Sequence, residues 1–150
     1  MKNKYVGFTL IELLVVISII GILSSLALVS YSGSQKQARD TQRKSDLNQY
    51  RNVLEAYAGG HGGLYPVESS SPFDVSGFCS SGELSNYISS CPKDPLPNQK
   101  YYYLFDSSGT AYALYATMES GGYWAVCSNG KTKLYTGSDT PNIDCSESEQ

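Results

Sequence analysis

Residues 8–29 read FTLIELLVVISIIGILSSLALV, 22 positions whose only charge is Glu12. A helix of that length rises about 33 Å, enough to cross the roughly 30 Å hydrocarbon core of a bilayer. The run exceeds the roughly 7 to 15 apolar residues of a cleaved secretory signal, and neither Ser25-Leu26-Ala27 nor Ala27-Leu28-Val29 makes a good small-x-small cleavage site. It reads as a segment that stays in the chain. A plain anchor has no use for a carboxylate so near its start, because at such a depth the charge costs on the order of 2 to 3 kcal/mol and calls for a partner. No basic residue lies within one helical turn of Glu12, so the sequence places that partner elsewhere.

The short leader Met1-Lys2-Asn3-Lys4-Tyr5-Val6, the stretch Gly7-Phe8-Thr9-Leu10-Ile11-Glu12 and the apolar continuation Leu13 to Leu23 together resemble the N-terminus of type IV pilins and related pseudopilins. The resemblance implies cleavage by a prepilin peptidase between Gly7 and Phe8 and methylation of the new Phe8 amine. It also supplies the partner of Glu12, which would face the positively charged N-terminal amine of a neighbouring subunit. Many family members carry a proline where this chain has Val29; here only Gly21, Ser24 and Ser25 weaken the helix, by roughly 0.5 to 1 kcal/mol each relative to Ala. The organisation so implied is a cleaved leader (1–7), a transmembrane and assembly helix (8–31), the amphipathic half of the same helix (32–58) and a globular head (59–150). The implied partners are further copies in a helical filament, the prepilin peptidase, a pilus assembly platform, and the membrane before assembly. The implied location is an inner or cytoplasmic membrane for the single-pass precursor and the cell surface for the pilus.

Counting Lys and Arg alone would put the C-terminal flank in the cytoplasm, since Lys36, Arg39, Arg43 and Lys44 outnumber Lys2 and Lys4. The resemblance, and four cysteines that suit an oxidising compartment, place that flank outside instead. The chain of 150 residues has a net charge of −3, which argues against nucleic-acid binding by bulk electrostatics. Any basic surface is expected as a band on residues 36–51.

From Tyr31 to Ala58 there is no proline, and Leu47, Tyr50, Leu54 and Tyr57 recur at spacings of 3, 4 and 3, one apolar stripe on a helix. Gly59-Gly60-His61-Gly62-Gly63 ends that helix, and the single histidine reads as a solvent-exposed loop residue. Residues 67–99 read as a connecting loop with a short helix at 83–88. Four strand-like runs follow, at 100–105, 110–118, 123–127 and 131–135, linked by Asp106-Ser107-Ser108-Gly109, Ser120-Gly121-Gly122 and Ser128-Asn129-Gly130. The fold class expected is α+β: a long N-terminal helix, half transmembrane and half amphipathic, packed on an antiparallel sheet of three to four strands.

Cys79, Cys91, Cys127 and Cys145 all fall in the head, with no C-x-x-C pair of the zinc or redox type. Of three pairings, those expected are Cys79 with Cys91, closing the connecting loop, and Cys127 with Cys145, tying down the tail. The second resembles the C-terminal disulfide loop of many type IV pilins.

No enzyme is expected. One histidine cannot furnish an imidazole-rich zinc site, any Ser-His-Asp arrangement would have to be built on His61, and the glycine cluster lacks the lysine of a phosphate-binding loop. No cofactor is expected. Some major pseudopilins bind calcium in a C-terminal loop, and Asp106, Asp139 and Asp144 are the carboxylates here that would serve. Tyrosines 101, 102, 103, 112, 115 and 123 with Trp124 are read first as packing residues, with weak binding of DNA or another surface as the alternative. The functional expectation is a structural subunit of a type IV pilus-like filament. The first alternative is a pseudopilin of a type II secretion or DNA-uptake system, and the second a single-pass anchored surface-binding module.

Overall fold

The computed structural model describes residues 7–80, 82–137 and 139–146, with the side chains of Val29, Cys79 and Ser80 outside that description. The leader before Gly7, the Val29 side chain and the Cys79 half of the expected Cys79–Cys91 bridge therefore lie outside the described residues. The chain divides into two compact units, Met1–Lys36 and Gln37–Gln150. Helix α1 (Leu10–Gly60) contributes residues to both.

In the first unit the helix presents its apolar side chains without cover: Leu10, Ile11, Leu13, Ile17, Ile22 and Leu28 keep between 60% and 81% of their surface exposed. Three hydroxyls of this stretch are satisfied within it. Ser18 Oγ donates to the Leu14 carbonyl at 2.8 Å, Ser25 Oγ to Ile22 at 2.8 Å and Ser34 Oγ to Ser30 at 3.0 Å. Serines that bond back to their own helix's carbonyls offer lipid no unpaired hydroxyl at those positions.

In the second unit the α1 stripe is buried as its spacing predicts, with Leu47, Tyr50 and Leu54 fully enclosed and Tyr57, Val53 and Ala58 nearly so. The helix stops where Gly62 takes φ +69° and the Gly63 amide returns to the Ala58 carbonyl at 2.8 Å, a Schellman-type closure. The stripe packs on one face of an antiparallel sheet with strand order β1-β2-β3-β4-β5: β1 (Phe73–Asp74), β2 (Tyr101–Phe105), β3 (Tyr112–Thr117), β4 (Tyr123–Cys127) and β5 (Thr132–Tyr135). Tyr112, Leu114 and Ala116 of β3 belong to that core; Ala113, on the other face, is buried with Ala125, Cys127, Tyr135 and Cys145 of the tail. The β3–β4 turn requires its glycine, since Gly122 sits at φ +81° and a Cβ there would collide with the Tyr135 carbonyl.

The sheet has one strand more than the three to four expected, and the fifth lies in the connecting segment. β1 is two residues long, Phe73 opposite Tyr103 and Asp74 opposite Tyr102, and exists through the register β2 offers it. A short helix, α2 (Ser76–Ser80), follows it, and the short helix expected at 83–88 is a 3-10 helix over Glu83–Asn86.

Tyrosine hydroxyls hold this segment, with so little regular structure, at three places and also tie β2 to α1. Tyr50 donates its hydroxyl to the Pro92 carbonyl at 2.7 Å, Tyr103 to the Pro66 carbonyl at 3.0 Å, Tyr57 to Glu83 Oε2 at 2.6 Å and Tyr101 to Asp46 Oδ2 at 2.6 Å. Each ring contributes apolar area to the core while its hydroxyl reaches the edge, which phenylalanine could not do.

Of the basic band expected on 36–51, Arg39, Arg43 and Lys44 are engaged within the head, while Lys36 stays exposed. Arg43 is completely enclosed: its Nε and Nη2 fork onto Asp94 Oδ2 and Oδ1 at 2.7 and 2.9 Å, and its Nη1 reaches Asp40 at 2.8 Å and Glu119 at 3.3 Å. Arg39 clamps Glu119 in the same bidentate way at 2.5 and 2.7 Å. Asp40 also accepts the backbone N–H groups of Glu119 and Ser120 at 2.8 and 2.9 Å, so one network joins α1, residue 94 and the β3–β4 turn. Lys44 is taken up by Trp124, its ammonium 4.2 Å from the ring centroid.

This network fixes an acid limit. Burial alone would push Asp40 up, but the Glu119 and Ser120 amides and Arg43 outweigh it and hold Asp40 below its ordinary 3.8. The Arg39 guanidinium holds Glu119 below 4.5. Groups depressed on folding contribute stability that is complete above their unfolded values and lost as pH falls through the folded ones. Asp46, raised by burial, works in the opposite sense and offsets part of this. At the alkaline end burial and the Glu83 carboxylate push Tyr57 up to about 12 from 10, so its contribution is complete below pH 10 and disappears between 10 and about 12. The unfolding temperature of the full chain in detergent should therefore be flat from neutral pH to about 5, fall steeply below 4 and fall again above 10. A monotonic rise toward pH 3 would contradict the network.

Candidate functional site

The N-terminal segment is where unpaired chemistry concentrates. Phe8 is 92% exposed and precedes Thr9, whose side chain starts the helix. Glu12 folds back on that start: its Oε2 accepts the Thr9 backbone N–H at 2.8 Å and the Thr9 hydroxyl at 2.7 Å, while the Glu12 N–H approaches Thr9 Oγ1 at 3.3 Å. This is a capping box, a Thr-x-x-Glu pair in which each residue satisfies an orphan group of the other.

Glu12 thus has a hydrogen-bonding partner within one helical turn, although not a basic one: both Thr9 donors converge on Oε2, and no described residue donates to Oε1. The carboxylate is oriented without being neutralised, at a helix N-terminus whose dipole favours a negative charge. A cation brought close to Phe8 would meet a carboxylate already aimed, one oxygen still unengaged.

Cys127 and Cys145 are joined, their Cα atoms 5.9 Å apart, and the bond ties the tail over the outer face of the sheet. Cys91 is disulfide-bonded as well. His61 is exposed, as expected, its ring stacked on Tyr57 at 3.7 Å. The three calcium candidates are not gathered: among the described residues no three His, Cys, Asp or Glu side chains form a metal-binding group. Asp106 instead receives the hydroxyls of Ser108 and Thr110 and the Ala111 amide, which hold it far below the usual carboxylate range, and Asp144 is bound by Ser146. Of the tyrosines, 101, 103 and 112 are buried, whereas 102, 115 and 123 lie half-buried, with Tyr102 stacked on Tyr115 at 5.2 Å.

Comparison with known proteins bears on the same N-terminal segment. Residues 3–28 match the family model described as the prokaryotic N-terminal methylation motif. The chain is 44% identical over 62 residues to prepilin peptidase-dependent protein D of Escherichia coli, covering 41% of this chain and 42% of that protein. It is 29% identical over 127 residues to type II secretion system core protein G of Vibrio cholerae, covering 80% and 86% respectively. It is 38% identical over 55 residues to type IV major fimbrial protein FimA of Dichelobacter nodosus, covering 37% and 35%. For the Escherichia coli and Dichelobacter proteins the aligned part is about two fifths of the relative's length or less. No solved structure matches the chain. The motif at residues 3–28 and these fimbrial and secretion relatives establish that the chain carries a prepilin-type class III signal.

Proposed function

We propose that this chain is a structural subunit of a type IV pilus-like filament. It is made as a single-pass membrane precursor, cleaved between Gly7 and Phe8, methylated at Phe8, and polymerised through its hydrophobic N-terminal helix. The carrying observation is the uncovered apolar helix with Glu12 oriented at its start. Soluble monomers rarely expose contiguous apolar patches beyond a few hundred Å², and a helix apolar all round must be covered by lipid or by other helices. Lipid covers it before assembly, and identical neighbours cover it afterwards. The Phe8 ammonium of one copy then meets Glu12 Oε1 of the next, a head-to-tail contact that repeats as an open helix. The prepilin peptidase and an assembly platform are the partners this route needs, and the filament ends at the cell surface. The reading assigns the chain no catalysis and no cofactor.

The match to core protein G, which runs through 80% of this chain, favours a second reading as a secretion pseudopilin. The same helix chemistry serves both, in a long surface fibre or in a short one. Contact with DNA or another surface would fall to Tyr102, Tyr115 and Tyr123, since the other strand tyrosines are enclosed.

Mass spectrometry of the N-terminal peptide from sheared filaments and from washed membranes separates the readings. Methylated Phe8 in the sheared fraction is the expected result. The same peptide confined to membranes would favour the pseudopilin, and an intact Met1 would leave a plain anchor.

A further inference from the structure

Asn129-Gly130 is the chain's one Asn-Gly pair, and it occupies the exposed β4–β5 turn. In such a pair the backbone nitrogen of the glycine can attack the asparagine Cγ. A C–N bond forms, ammonia leaves, and water then opens the cyclic imide to aspartate or isoaspartate. Glycine offers the least hindered nitrogen for that attack.

The structure both arms and restrains this reaction. Lys131 N–H donates to Asn129 Oδ1 at 2.9 Å, which polarises the amide toward attack. Two other bonds oppose it. The attacking nitrogen must give up its proton, and Gly130 N–H is committed to the Cys127 carbonyl at 3.0 Å. The leaving nitrogen, Asn129 Nδ2, donates to the Asp144 carbonyl at 2.7 Å. Both acceptors belong to the loop closed by Cys127–Cys145: one is the backbone of Cys127 itself, and the other immediately precedes Cys145. Cys145 is further fixed by burial against Ala113, Ala125 and Tyr135. The Asp144 half of this restraint depends on the tail being tied down, whereas the Gly130–Cys127 bond closes the β4–β5 turn itself.

We infer that Asn129 is a deamidation site gated by the C-terminal disulfide, slowed while Cys127–Cys145 holds Asp144 in place and faster once the tail is released. The conversion cannot be reversed by reclosing the bond. The new carboxylate or isoaspartyl linkage would present an acceptor where the Asp144 carbonyl requires a donor, so a tail once released would not return to its seat. An opened head is thereby marked chemically.

The test compares three samples at neutral pH: the full-length oxidised chain in detergent, the full-length Cys127→Ser, Cys145→Ser chain, and a synthetic peptide of residues 127–133 with serine at 127. Peptide mass spectrometry follows the replacement of –NH₂ by –OH at Asn129 with time. With two restraining hydrogen bonds to break, the oxidised chain should react about tenfold or more slowly than the peptide, and the serine variant, which keeps the turn bond from Gly130 to the residue 127 carbonyl, should fall between the two. An oxidised chain as fast as the peptide would overturn the restraint. A serine variant as slow as the oxidised chain would overturn the gating.

Discussion

Chains carrying Glu12→Gln are expected to insert, to be cleaved, to keep a folded head, and to yield almost no filaments. Glutamine preserves the shape of the capping box, and its amide oxygen can still accept the Thr9 N–H and hydroxyl, so helix initiation is barely disturbed. What it removes is the negative charge at the oxygen that Thr9 leaves unengaged. A neighbour's ammonium would then be buried among apolar helices with no counter-charge. Breaking a buried pair from one side costs about 3 to 5 kcal/mol, which lowers the equilibrium for adding a subunit by roughly a hundred- to a few-thousand-fold. Sheared-filament yield, normalised to membrane-bound chain, measures the loss. Normal yield would show that Glu12 has no part in assembly. Glu12→Ala should fail at least as badly, since it also strips Thr9 of its acceptor.

The second large effect belongs to Arg43. Arg43→Met keeps an unbranched chain of similar length but leaves Asp94, whose side chain is 1% exposed, without the fork that neutralises it, and leaves Asp40 without its guanidinium partner. The expected destabilisation is about 3 to 5 kcal/mol. Total stabilities are about 5 to 15 kcal/mol, so this takes a large share, and the unfolding temperature should drop by roughly 10 to 25 °C. Combining Arg43→Met with Asp94→Asn, which removes the stranded charge while keeping an acceptor for the Leu96 amide, should recover part of the loss. A single variant within 1 °C of the parent chain would mean that water reaches the site and the pairing is superficial.

Much of the head was legible because its signals are local. The stripe Leu47, Tyr50, Leu54, Tyr57 declares a helix and its buried face, and hairpins centred on Gly109, Gly122 and Gly130 declare neighbouring strands in sequence order. What escaped has long-range causes. β1 has two residues and no period of its own; only the row Tyr102–Tyr103 makes Phe73–Asp74 a strand. Arg43 reads as one more solvated base until Asp94 and Glu119, 51 and 76 residues away, are brought to it. Its one local hint was Asp40, three residues earlier on the same helix. The Thr9–Glu12 box, by contrast, is written locally, as Thr-x-x-Glu at the start of an apolar run.

The tethers of the connecting segment have a consequence for how this protein can change over time. Tyr50 and Tyr103 grip it by the carbonyls of residues 92 and 66, and a carbonyl is present whatever side chain the position carries. The outward-facing residues between those anchors can therefore drift, exchanging size, charge and polarity, while the segment stays fastened at the same two points. Substitutions should accumulate there far faster than at Tyr50 or Tyr103, giving a surface that diversifies over an unchanging attachment.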